Sequence, residues 1–166
     1  DVNKNGGQAI LTGKNHKTGT DRIYEALKKI GNPDIELIMN LQGDEPLMKI
    51  EDIRNLHNQM IKTKSEMGTL ASKIEDKSFF QKENVVKVLT KQSLVTSEFS
   101  EAINFMRKSN NLCDNIYHHL GIYCYTIETL KNFVTLDQSP NEIKNKLEQL
   151  RALENNIKIK VSLAKE

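Results

Sequence analysis

An α/β domain is the fold class that this sequence predicts, and three stretches carry that reading. Ile35 to Leu41 is a short, mostly apolar run, Ile-Glu-Leu-Ile-Met-Asn-Leu, of the kind that forms a strand covered on both faces. After a polar loop from Gln42 to Pro46, Ile50, Ile53, Leu56, Met60 and Ile61 recur at helical spacing. Near the other end, Ile157, Ile159, Val161 and Leu163 alternate as a strand should, directly after a helical pattern of Ile143, Leu147, Leu150 and Leu153. Strand, loop and helix in succession make an α/β unit, and 166 residues with 37% apolar content suffice for one domain with a core.

The remaining elements follow in order. Gln8 to Thr12 reads as a short strand, and Gly13, Asn15, His16 and Lys17 as a loop. Thr20 is placed as the N-cap of a helix whose Ile23, Ala26, Leu27 and Ile30 form the buried face, with Gly31-Asn32-Pro33 as its stop. The Ile35–Leu41 run is assigned to a parallel strand. Gly68 to Ile74, Val85 to Leu89 and Leu94 to Thr96 are further strand candidates, while Ser100 to Arg107 fits helix or coil. Leu120 to Thr126 reads as a strand, Ile127 to Phe133 as a short helix, and Asn141 as the cap of the last helix. No internal repeat or low-complexity linker interrupts the chain.

Charge and composition exclude several functions. Lys and Arg number 24 against 22 Asp and Glu, and the lysines are scattered without interleaved aromatics, so no nucleic-acid surface is expected. No stretch approaches the roughly 20 apolar residues that span a bilayer, and Asp1 to Gly7 is not signal-like. Two cysteines, Cys113 and Cys124, make neither a metal spacing nor a disulfide framework. A cytoplasmic protein with no membrane partner is the expectation.

Five constellations could carry chemistry. Gln42-Gly43-Asp44-Glu45-Pro46 leaves a buried strand where parallel sheets place their ligands. Asp44 and Glu45 offer the hard oxygens Mg²⁺ prefers beside phosphates, and Gly43 permits close backbone approach; an acidic turn before a helix would look the same. Thr18-Gly19-Thr20-Asp21-Arg22 could present free amides to an anion or a base edge, or simply cap a helix. His118 and His119 are strand neighbours on opposite faces, so they cannot easily share one ion, although one of them could face a ligand. Glu148 and Arg151, three apart on the last helix, could pair on the surface. Tyr123 and Tyr125 share one face of their strand, where core packing explains them.

Taken in order, these motifs resemble the cytidylyltransferases that activate 3-deoxy-D-manno-octulosonate for lipopolysaccharide synthesis. The matching pieces are Thr18 to Arg22, Asn40 to Pro46, Asn84-Val85-Val86-Lys87-Val88, His119-Leu120-Gly121-Ile122-Tyr123, Ser139-Pro140 and Leu147 to Leu153. The resemblance implies a three-layer α/β nucleotide-diphospho-sugar transferase-like fold, with residues 1–166 forming the central and C-terminal part of a single nucleotidyltransferase domain. It also implies a homodimer that joins CTP to the sugar acid with Mg²⁺ and releases pyrophosphate. By the same resemblance Asp44 is a metal ligand and, with Gln42, catalytic. Thr18, Gly19, Thr20, Arg22 and Gly43 lie on the nucleotide side, and Gln42, His119, Tyr123, Glu148 and Gln149 surround the sugar acid. Such transfer rests on positioning and charge neutralisation and needs no protein nucleophile.

The family's opening strand and basic phosphate loop would precede Asp1, and its second metal-binding Asp would follow Glu166. Losing one partner of a buried charged contact costs roughly 3–5 kcal/mol, so the expectation is that this segment alone is inactive. Where the family has Arg after a Ser, this chain has Glu101. Glu101 either points away, is balanced by Arg107 or Lys108, or marks a different sugar or a decayed enzyme. The alternatives are a cytidylyltransferase for another sugar acid and a non-catalytic nucleotide-binding or dimerising paralogue.

Overall fold

The computed structural model describes residues 1–42, 48–110 and 113–165. Among the described residues five α-helices and six strands follow one another as α1 (Gly19–Ile30), β1 (Leu37–Asn40), α2 (Ile50–Thr63), β2 (Met67–Ser72), β3 (Lys87–Thr90), β4 (Ser100–Met106), β5 (Ile116–Thr126), α3 (Ile127–Phe133), α4 (Pro140–Asn145), α5 (Gln149–Glu154) and β6 (Ile159–Leu163). The strands form one sheet in the order β1-β5-β2-β6-β4-β3, and β3 returns to pair with β5. Among the described pairings only β2 and β6 run parallel. Helix α2 covers one face through Leu56 and Met60, which pack on Leu70, Leu120, Ile122 and Cys124. On the opposite face Tyr123, Tyr125, Leu130, Phe133, Leu150 and Ile159 build the larger core beneath α1, α3 and α5. The result is helix, sheet and helix in three layers.

Close packing of α2 on the sheet depends on Gly68. A Cβ there would lie 2.7 Å from the Met60 sulfur and 2.9 Å from Leu56 Cδ1, closer than side chains tolerate. Asp52 and Asn55 fasten the same helix to the end of β6, Asp52 by accepting the Lys165 N–H at 2.8 Å and Asn55 by donating to Ser162 Oγ at 3.0 Å.

Several sequence expectations are corrected. Gln8 to Thr12 is loop, not strand, and is pinned to α1 by Arg22 and Lys29. The cap of α1 is Thr18, not Thr20. The Thr18 hydroxyl accepts the Asp21 N–H and the Asp21 carboxylate accepts the Thr18 N–H, a return bond that Ile23 could not make for Thr20. Strand β1 is antiparallel to β5, although both its faces are covered, Leu37 and Met39 on the α2 side and Ile38 on the other. An apolar run reports coverage; strand direction leaves no mark on it.

Leu94 to Thr96 is a turn, held where Tyr117 Oη accepts the Leu94 N–H at 2.8 Å. Ser100 to Met106 is a strand, where helix or coil was expected. Its register slips between Leu89 and Thr90 of β3, so Ala102 and Phe105 are both buried while Ile103 and Asn104 are exposed; that slip erases the two-residue period. The last helix is two helices. Ser139, not Asn141, caps α4 with Glu142 completing the reciprocal bond, and Lys146 at φ 53° ends it before α5 begins. The break has a cause in packing. Arg151 donates to Glu142 at 2.8 and 2.5 Å, whereas nine residues along an unbroken helix would separate them by about 13 Å.

Candidate functional site

The site grows from an irregularity in β5. Between its pairings Leu70↔Leu120 and Thr69↔Tyr123, β5 carries two residues, Gly121 and Ile122, that β2 does not match. Thr69 bridges the bulge. Its hydroxyl is 2.6 Å from the Ile122 carbonyl, 3.3 Å from the Leu120 carbonyl and 3.0 Å from His119 Nε2. Carbonyls only accept, so the single hydroxyl proton goes to them, with Ile122 the nearer. Thr69 must then accept Nε2–H from His119. That bond assigns the tautomer and leaves Nδ1 as the acceptor of the ring. Burial, aided by the charge of His118, pushes His119 down to about 3, so the imidazole is neutral.

Gly121 makes room for Gln42. The β1–β5 register ends at Asn40↔Tyr123, and Gln42 continues past it until its side-chain amide lies 3.3 Å from where a Cβ on Gly121 would sit. Any side chain at residue 121 would press on that amide. Tyr123 stands on the same strand with its ring 5.4 Å from His119 and 6.0 Å from Tyr125, and burial holds its phenol far above the ordinary value, hence protonated. His119 also packs edge-on against Phe105 at 5.0 Å, while its neighbour His118 meets Phe79.

Glu148, just ahead of α5, closes the group. Thr20 and Thr18 stand near enough to its carboxyl to favour the ionised form, and its charge is felt by Tyr123 and Tyr125. Burial raises its pKa, the two threonines and Arg151 only partly opposing. Its Oε1 is buried without a hydrogen-bond partner among the described residues. A buried acceptor left unpaired costs roughly 1–3 kcal/mol, a common signature of an atom kept for a ligand.

The structure thus gathers Gln42, His119, Tyr123, Glu148, Thr18 and Thr20 at one end of the sheet. Gln149 is buried at the start of α5 beside Glu148. Gly19 is exposed at the first turn of α1 with open space where a side chain would stand. Arg22 is otherwise engaged, donating to Thr12 Oγ1 at 2.6 Å and to the Gly13 carbonyl at 3.0 Å. Gly43 and Asp44 lie outside the described residues. Among the described residues no group of three or more His, Cys, Asp and Glu could hold a metal ion.

Two expected pairings are replaced. Arg151 does not pair with Glu148 on the surface; it is buried against Glu142, with its guanidinium 4.7 Å from the Phe133 ring. Glu101 is balanced by Lys91 at 2.7 Å, with Lys160 and Lys158 nearby, and not by Arg107 or Lys108. Sequence reasoning missed Thr69 and the role of Gly121. An isolated glycine inside a strand pattern was the available signal for the bulge.

A cytidylyltransferase family profile matches residues 1–159 of this chain. The chain belongs to the cytidylyltransferase family. The 3-deoxy-manno-octulosonate cytidylyltransferase of Thermodesulfovibrio yellowstonii is 43% identical over 95% of this chain and 66% of its own length. That of Haemophilus influenzae is 38% identical over the whole of this chain and 70% of its own. A CMP:2-keto-3-deoxy-manno-octonic acid synthetase solved with CTP superposes with a TM-score of 0.84 at 30% identity, covering 98% of this chain and 66% of that one. The chain therefore spans about two thirds of the length of these relatives, and it shares the α/β fold of the solved one. No helix among its described residues is long and apolar enough to cross a membrane.

Proposed function

We propose that this chain forms the sugar-acid side, and part of the nucleotide side, of an enzyme that makes CMP-3-deoxy-D-manno-octulosonate and pyrophosphate from CTP and the sugar acid. The anomeric hydroxyl attacks the α-phosphorus; the new P–O bond forms as the bond to pyrophosphate breaks. The observation that carries the reading is the unpartnered Oε1 of Glu148, set beside Tyr123 and the two threonines. It offers an acceptor to a sugar hydroxyl, and His119 Nδ1 offers a second. The Gln42 amide and the Tyr123 phenol supply donors, and Gly19 exposes the first turn of α1 to the nucleotide. All of these groups position and none attacks, in keeping with phosphoryl-type transfer.

Mg²⁺ bound at Asp44 would neutralise the phosphates; the described residues form no ion site without it. Family resemblance supports a cytoplasmic homodimer. Glu101, engaged by Lys91, does not argue against this sugar.

Pyrophosphate release from CTP, assayed in the full-length protein, tests the proposal. It is expected with 3-deoxy-D-manno-octulosonate, and Glu148→Gln is expected to lower kcat/KM for that sugar acid by about 10- to 100-fold, the worth of one hydrogen bond to a charged group. Equal turnover of N-acetylneuraminate, or an unaffected Glu148→Gln enzyme, would contradict it.

A further inference from the structure

The Asn84–Val88 stretch takes no part in the contacts proposed above, yet it contains Lys87, whose side chain is completely buried. A lysine buried to that degree needs every ammonium proton satisfied. Here the partners are carbonyls: Lys82 and Val85 each accept from Nζ at 2.7 Å, and so does the carbonyl of Arg107. Arg107 repeats the pattern with its own fork. Nη1 donates to the Glu83 carbonyl at 2.9 Å, Nε to Asn145 at 2.5 Å and Nη2 to Lys146 at 2.9 Å. Two cations thus bind six carbonyls and join the loop before β3, the end of β4 and the turn between α4 and α5.

That turn decides where Glu148 stands. Lys146 holds a left-handed φ of 53° that lysine rarely adopts, and Glu148 follows two residues later. Packing does not fix the turn on its outer side, where Arg107, Asn145 and Lys146 border a cleft of about 940 Å³. A helix C-cap would need only the carbonyls of Asn145 and Lys146. The additional bond to Glu83 and the clamp of Lys87 on the Arg107 carbonyl tie the turn to β3. Lys87 itself pairs with His118 across β3 and β5, next to His119. Both sugar-side acceptors therefore hang on one backbone frame.

We propose that Arg107, braced by Lys87, is a positioning residue that sets the location of Glu148 and through it the affinity for the sugar acid. This rests on the reading of Glu148 given above. Lys87→Met would strip three carbonyls, one of them in a buried bond, of their donor, so the test uses Arg107→Gln, which frees the carbonyls of Glu83 and Lys146 from exposed bonds and that of Asn145 from a part-buried one. Dissociation constants for the sugar acid and for CTP are measured by calorimetry in the full-length protein, in wild type, Arg107→Gln and Glu148→Gln. Arg107→Gln is expected to weaken the sugar acid about tenfold and to leave CTP within about twofold, because displacement of one group at one subsite is selective. General destabilisation would not separate the two ligands. If Glu148→Gln binds the sugar acid normally, the reading of Glu148 fails and this proposal falls with it. If Glu148→Gln is impaired while Arg107→Gln is not, or if Arg107→Gln loses both ligands alike, Arg107 is structural only and the proposal alone is overturned.

Discussion

Replacing Arg151 with Met is expected to destabilise the chain by about 3–5 kcal/mol in urea unfolding, enough to leave a marginal fold largely unfolded. Both partners of the Arg151–Glu142 pair are almost wholly buried, at 2% and 4% side-chain exposure, so water cannot replace the lost contact. Burial works against ionising Glu142, but the guanidinium of Arg151, with Gln138 and the Ser139 N–H, brings its pKa below the ordinary carboxylate value. Removing Arg151 strands that charge at the junction of α4 and α5. The double variant Arg151→Met/Glu142→Leu is expected to recover part of the loss, since an apolar pair of similar volume has no charge to desolvate while the Ser139 N–H loses its acceptor. A loss under about 1 kcal/mol for Arg151→Met would place the pair in the class of surface ion pairs and contradict its role in folding α5 back.

The second large effect is on acid stability. His119 titrates at about 3 in the fold against 6.5 as a free side chain, so between those values the unfolded chain binds a proton that the folded chain refuses. Stability must therefore rise with pH through that window and level off above 6.5. His118, half-buried, is shifted in the same direction; Glu148, raised by burial, acts in the opposite one. The variant His119→Gln isolates the term: its amide can still donate to Thr69, but it cannot titrate. From pH 6.5 to 4.5 the wild type is expected to lose about 2 kcal/mol more than the variant. Parallel curves for the two proteins would show that His119 is not held neutral by the site.

Local chemistry made part of this molecule legible before its structure. The Ile127–Phe133 helix, the strand through Ile159, Val161 and Leu163, and α2 all follow from short-range spacing, and there the structure agrees. What sequence concealed was set by contacts between distant residues. The β4 slip arises in its pairing with β3, and the helix break at Lys146 serves a bond between Glu142 and Arg151; neither leaves a local period to read. Strand β1 showed its coverage and hid its direction, because apolar coverage of both faces looks alike in either orientation. The site was legible as motifs, with Gln42, His119, Tyr123 and Glu148 named from their order. Its geometry was not, since Thr69, which orients His119, lies 50 residues away along the chain.

A crystal structure of the full-length protein with the sugar acid bound tests the central claim most directly. A sugar hydroxyl should lie within hydrogen-bond distance of Glu148 Oε1, with the Gln42 amide and His119 Nδ1 on the same ligand and Asp44 turned toward it. Sugar density elsewhere on the surface, with Oε1 still lacking a partner and Asp44 pointing away, would contradict the account.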